Sequence, residues 1–131
     1  MIKTQFTLYL VNRPGELARA TKAFATAQVN IEGISVAERT DVSLVQVIVS
    51  NAQRARQALK KAGIPASEQK VAILALANKP GALGKLASEL ARKKININYL
   101  YATAPPSGSG PECSVVISSD DLKKVELSWG R

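Results

Sequence analysis

Apolar positions along this chain follow two spacings. From Phe6 to Val11 the sequence reads FTLYLV, and from Val71 to Ala77 it reads VAILALA. Both runs are short, rich in apolar or β-branched residues, and closed by Asn-x-Pro-Gly, which predicts strands that end in tight turns. The second run is apolar without a break, as in a strand buried on both faces. Behind each turn the spacing becomes helical. Leu83, Leu86, Ala87, Leu90 and Ala91 fall on one face, and Leu17, Ala20, Thr21, Phe24 and Ala27 make a weaker stripe. Pro14 and Pro80 are expected at the first helical position, where a missing N–H costs nothing. Strands follow at Asn30–Glu38 and Asn96–Thr103. Arg39-Thr40-Asp41 turns the first of these into Val42–Ser50 (VSLVQVIVS), and a mobile loop, Ala104–Pro111 (APPSGSGP), turns the second into Cys113–Ser118. Asn51 is expected to cap a further helix, with Ala52, Ala55, Leu59 and Ala62 on one face and Gly63 as its stop. Ser119 caps a short helix to Lys124, and Val125–Trp129 is left for a last strand that is short or missing.

One pattern is written twice. A shift of 66 residues lays Asn12 on Asn78, Pro14 on Pro80, Gly15 on Gly81, Leu17 on Leu83, Phe24 on Leu90, Val29 on Ile95, and Asn30-Ile31 on Asn96-Ile97 without a gap. Each copy reads β-α-β-β-α, and Ile64–Gln69 can close the first with a final strand. That is the ferredoxin-like βαββαβ order. The expected fold is α+β, with two such domains in tandem at 1–66 and 67–131. Each is an antiparallel sheet with its helices on one face, and residues 64–70 form the junction.

Composition narrows the chemistry. With 46% apolar residues the chain can build a core, and with 5% aromatics that core must be mostly aliphatic. The absence of histidine removes Ser-His-Asp and Cys-His catalysis, and with a single cysteine it removes a zinc site of the usual kind. No cofactor or metal is expected. GALGKL, Gly81–Leu86, has too few residues between its glycines for a phosphate loop. Asp120 and Asp121 fit a helix start better than an acid–base pair. Lone Cys113 and the lack of a long apolar run point to a reducing cytoplasm and no membrane span. The net charge of +8 is spread over both halves, with nine basic and four acidic groups in residues 1–65 and nine and six in residues 66–131. Its tightest clusters, Arg54/Arg56/Lys60/Lys61 and Arg92/Lys93/Lys94, lack interleaved aromatics and fit solvated helix faces better than a nucleic-acid surface.

The N-x-P-G-x-L turn, the apolar helix and V/I-N-I leading into the second strand together resemble tandem ACT domains, small amino-acid-binding regulatory modules. The resemblance covers nearly the whole chain. The first copy, NRPGELARATKAF…NIEGISVAERTD, is also similar to the regulatory subunit of acetolactate synthase, whereas the second lacks the V-A ending of that strand. The resemblance implies a ligand at an interface between two such domains. There the turn of one faces the start of the second strand of its partner. It places binding residues at Asn12, Pro14, Gly15, Glu16, Leu17, Asn30 and Ile31, and at Asn78, Pro80, Gly81, Ala82, Leu83, Asn96 and Ile97. The histidine that some members carry two residues before the turn asparagine is Leu10 and Leu76 here, which speaks against serine as the ligand.

The residues themselves allow that chemistry. The first helical turn offers unpaired N–H groups and a positive dipole end to a carboxylate. Gly15 and Gly81 let backbone approach a ligand, Asn offers both donor and acceptor, and Leu17 and Leu83 can close an apolar wall. A structural role competes with it: Asn12 and Asn78 can bond their own turns, and Asn30 and Asn96 can end the preceding helix in the left-handed conformation. The leading expectation is a non-enzymatic regulatory protein that binds an amino acid, apolar or branched, as a homodimer. A regulatory subunit of a biosynthetic enzyme such as acetolactate synthase is the second reading, and a basic nucleic-acid-binding module the third. Glu16 against Ala82, with the short end of the second copy, means that the two sites need not be equivalent.

Overall fold

The computed structural model describes residues 1–103 and 110–129, so most of the expected loop Ala104–Pro111 lies outside the described residues. The elements are β1 Ile2–Val11, α1 Glu16–Thr26, β2 Ile31–Glu38, β3 Val42–Val49, α2 Ala52–Ala62, β4 Ala66–Ala77, α3 Ala82–Arg92, β5 Tyr99–Thr103, β6 Glu112–Ser118 and α4 Leu122–Trp129. They form two compact units, one of Thr4–Gln69 and one of Met1–Lys3 with Lys70–Arg131.

In the first unit the strands run β2-β3-β1, with the beginning of β4 beside β1. β3 is antiparallel to both its neighbours, pairing Phe6 with Val47 and Leu8 with Val45 on one side and Ile34 with Val47 on the other. Side chains alternate across a strand, so Phe6, Leu8, Leu10, Val45 and Val47 share one face. They are buried there against Ala20 and Phe24 of α1 and Ala55 and Leu59 of α2. The opposite face of β1 carries a polar ladder. Thr7 Oγ1 donates to Gln69 Oε1 at 2.7 Å, Gln5 Nε2 reaches the same oxygen at 3.4 Å, and Gln69 Nε2 donates to Ser67 Oγ at 2.8 Å. Gln5 and Thr7 are buried, so these bonds supply what water no longer can.

Three helices end alike. Val29 N–H bonds Phe24 O, Ile64 N–H bonds Leu59 O, and Ile95 N–H bonds Leu90 O, each at 2.9–3.0 Å. The residue between is left-handed in each case: Gln28 at φ 57°, Gly63 at φ 69° and Lys94 at φ 60°. This is the Schellman closure, sealed by apolar contact across the bond. Gly63 stops α2 as its type predicts. The left-handed residues after α1 and α3 are Gln28 and Lys94, two positions ahead of Asn30 and Asn96. At the other end of α2, Asn51 accepts a bond from Arg54 N–H at 3.0 Å, as a cap should.

In the second unit β4 is flanked by β6 on one side, with β5 beyond, and by the start of β1 on the other. Ile73 N–H bonds Met1 O at 2.7 Å and Met1 N bonds Ile73 O at 3.0 Å. Ala72, Leu74, Leu76, Val115 and Ile117 bury one face against Leu86 and Leu90 of α3 and Val125 of α4. Val125–Trp129 therefore continues a helix and supplies no strand; the place beside β4 is taken from the start of the chain. Asp121, whose Oδ1 accepts from Lys124 N–H at 3.0 Å, caps α4 in the role expected of Ser119. β4 begins at Ala66, inside the expected junction at 64–70, and β5 begins at Tyr99 where Asn96 was expected.

Candidate functional site

Both Pro-Gly sequences make the same turn. Glu16 N–H bonds Arg13 O at 3.4 Å and Ala82 N–H bonds Lys79 O at 3.3 Å, enclosing Pro14-Gly15 and Pro80-Gly81. Gly15 (φ 91°, ψ −16°) and Gly81 (φ 86°, ψ −10°) take the left-handed third position of a type II turn, for which Pro is favoured one residue earlier. The prolines thus stand two residues before the helices, not at the first helical position; a type II turn needs both residues ahead of the helix. Past each turn the helix opens with free donors. Among the described residues, the N–H groups of Leu17 and Ala18, and of Leu83 and Gly84, have no acceptor within the chain.

The asparagines tie these turns to a neighbouring hairpin. Asn12 Nδ2 donates to Glu38 Oε1 at 3.3 Å and to the Arg39 carbonyl at 3.4 Å, and the Ser43 hydroxyl donates to its Oδ1 at 3.4 Å. Asn78 Nδ2 donates to the Gly110 carbonyl at 3.1 Å and its Oδ1 accepts from Cys113 Sγ at 3.5 Å. The registers explain the parallel, since Ser43 pairs with Leu10 and Cys113 with Leu76.

Beside Asn78 lies a cleft of about 220 Å³, lined by Leu76, Ala77, Asn78, Lys79, Ala82, Leu83, Ala102 and Cys113. Its lining residues are aliphatic apart from Asn78, Lys79 and Cys113. Lys79 forms no ion pair among the described residues. Leu83 at the start of α3 is 44% exposed, so an apolar wall faces solvent next to the free N–H groups.

The first unit fills the same position with charge. Glu16, the counterpart of Ala82, bonds Arg19 at 3.2 Å and lies 3.6 Å from Arg13, and its side chain is only 12% exposed. The Arg19 hydrogen bond, with both guanidinium charges, holds its carboxyl below the usual range against an opposing effect of burial. Arg13 is the counterpart of Lys79, so a cation that is unpaired in the second unit is engaged in the first.

The structure does not gather all the expected site residues within a unit. Asn78, Ala82 and Leu83 line the cleft, with Pro80 and Gly81 in the turn above it. Asn96 and Ile97 lie past the far end of α3, whose length of eleven residues corresponds to roughly 16 Å. There Asn96 Nδ2 bonds Asn98 and its carbonyl accepts from Ser119 Oγ at 2.8 Å. Asn12, Pro14, Gly15, Glu16 and Leu17 are separated in the same way from Asn30 and Ile31. The Asn30 backbone exchanges bonds with Ser50, and Ile31 packs against the core. Lys79, Ala102 and Cys113 escaped the sequence reading. The repeat overlay runs only into the second strand, and the unlike hairpins hide which residue of β6 lies opposite Leu76.

Among the described residues no group of three or more His, Cys, Asp or Glu comes together that could hold a metal ion, and no helix is long and apolar enough to cross a membrane. The model of the ACT domain pair family matches residues 1–123. A comparison with curated proteins gives no match. The fold is similar to the crystal structure of protein BT0572 from Bacteroides thetaiotaomicron, at a TM-score of 0.89 and 27% identity over 98% of this chain and 86% of that one. It is also similar to the ligand-free regulatory subunit of aspartate kinase from Thermus thermophilus, at 0.70 and 20% over 95% and 89%. The regulatory subunit from Thermus flavus matches at 0.66 and 18% over 98% and 92%.

Proposed function

The chain belongs to the ACT domain pair family, and on that premise we propose that it is a non-enzymatic regulatory protein whose second unit binds an apolar amino acid. The aliphatic cleft beside Lys79 is the observation that carries this reading. Its volume is below the roughly 300–1,000 Å³ of drug-sized sites, which suits a molecule of amino-acid size. The ligand carboxylate meets the Lys79 ammonium and the open N–H groups of Leu83 and Gly84, where the helix dipole adds to the attraction. Leu76, Ala82, Leu83, Ala102 and Cys113 surround its side chain. Asn78 holds the turn at its distance from β6. In the first unit Glu16 would set a carboxylate against that of the ligand, so one site per chain is the expected stoichiometry.

Chains are proposed to pair through β2. It is an edge strand of the first unit, and Ile34 and Val36 are 42% and 51% exposed on it. Output then passes to a partner enzyme. The solved likenesses described as regulatory subunits of aspartate kinase support testing a kinase of that class ahead of acetolactate synthase. A cytoplasmic location fits the free Cys113 thiol.

The test is a thermal-shift panel over the common amino acids. A ligand at a hundred times its Kd adds about 2.7 kcal/mol to stability. Leucine, isoleucine, valine or methionine at millimolar concentration is expected to raise the Tm by several degrees, and Ala82→Glu to abolish the rise. A flat response to every amino acid sinks the reading.

A further inference from the structure

A second concave surface lies in the first unit, between its two helices. The groove between α1 and α2 has a volume of about 380 Å³ and is lined by Arg19, Lys22, Ala23, Thr26, Ala27, Ala58, Lys61 and Ala62. Its floor is four half-buried alanines, Ala23 of α1, Ala27 just past its end, and Ala58 and Ala62 of α2, and its rim is three exposed cations. Arg19 is fixed in place, donating to the Ala62 carbonyl at 3.1 Å and to Glu16. Across the two helices Arg19, Lys22, Arg54, Arg56, Lys60 and Lys61 stand against the single carboxylate of Glu16. Among the described residues, only Arg56 is paired from outside the helices, with Glu68 at 2.7 Å.

We propose that this groove docks an acidic amphipathic helix from a partner protein. Small floor residues let another helix approach closely, because no long side chain stands between the backbones. Lys22 and Lys61 on the rim would meet carboxylates that flank the apolar stripe of the incoming helix. A second copy of this chain cannot supply that helix. Arg19 and Lys22 stand against Glu16 on α1, and α2 carries four cations and no carboxylate. On α3, Lys85 and Arg92 stand against Glu89, and on α4, Lys123 and Lys124 stand against Glu126. No helix among the described residues is net acidic. A nucleic acid would match the cations but leave the alanine floor unused, and the groove offers no aromatic on which a base could stack.

The probe is a fluorescent helical peptide with Leu and Ala on one face and Glu on the flanks. A scrambled peptide of equal composition and a DNA duplex are run beside it. The amphipathic peptide is expected to bind roughly tenfold or more tightly than the scramble, and Lys22→Glu with Lys61→Glu to cost a similar factor. Lys123→Glu with Lys124→Glu on α4, which changes net charge by the same amount, is expected to leave binding within about twofold. Hydrogen exchange of the intact chain should show protection of α1 and α2 by the peptide. Equal binding of peptide and scramble, equal loss in both charge-reversed variants, or tighter binding of the duplex would each overturn the proposal. Failure here leaves the amino-acid cleft untouched, since that site is read by thermal shift in the other unit.

Discussion

Two residues show how a single side chain sets local behaviour. Glu16 is held by Arg19 and Arg13 and its carboxyl is shifted down, so the folded state favours its charged form. Such a group adds stability above its unfolded pKa of about 4.3, and the contribution is lost as pH falls through the lower folded value. Glu16→Gln is therefore expected to lower the Tm at neutral pH, with the gap closing toward pH 3. A gap of constant size across that range would remove the ion pair as its cause. Gln69 is the second case. It satisfies Thr7, which is 7% exposed, so Gln69→Ala strands a buried hydroxyl and should cost about 1–3 kcal/mol in urea denaturation. Adding Thr7→Val removes the stranded group and should recover part of that loss. If it recovers nothing, the polar ladder contributes by packing alone.

At the scale of elements, the helix ends show what local sequence reveals and hides. Gly63 was legible as a stop because glycine is the residue that takes a left-handed angle without cost. Gln28 and Lys94 take the same angle at φ 57° and 60°, and nothing in a glutamine or lysine announces it. Their conformation follows from Val29 and Ile95, which must turn back to bury against Phe24 and Leu90. Lys94→Gly and Gln28→Gly should each relieve about 0.5–1 kcal/mol of strain after the added chain entropy of glycine. Denaturant midpoints measure this, and lower midpoints in both variants would contradict it. Pro14 and Pro80 were legible as turn residues and misplaced by two positions, since helix-start and type II turn statistics both favour proline before a helix. The open edge of β2 gives an oligomer prediction: Ile34→Lys with Val36→Lys should convert a dimer to a monomer in light scattering without changing the Tm of the monomeric fold. A chain that is monomeric before the change would end the β2 pairing proposal.

At the scale of the whole molecule, two βαββα copies were readable from hydrophobic spacing, and the origin of the last strand was not. Val125, Leu127 and Trp129 alternate as a strand would. Yet Val125 and Trp129 are also four apart on a helix, and there both pack against the core while Leu127 is 84% exposed. The position beside β4 is filled by residues about seventy positions earlier in the chain, a pairing that no local pattern carries. Part of the site was hidden in the same way, because Cys113 reaches the cleft through strand register. This supply of a strand predicts an asymmetric defect. A chain starting at Thr4 keeps every residue of the first unit but loses both bonds between Met1 and Ile73. At about 0.5–1.5 kcal/mol each, the loss should be about 1–3 kcal/mol. It should fall on the second unit, exposing Val71, which is 0% accessible in the intact chain, to solvent along an opened strand edge. Hydrogen exchange is expected to accelerate at residues 71–73 and to remain unchanged along β3. The amino-acid thermal shift should weaken too, because β4 carries Leu76 and Ala77 into the cleft. Equal exchange in both chains at residues 71–73 would mean that the first three residues complete nothing.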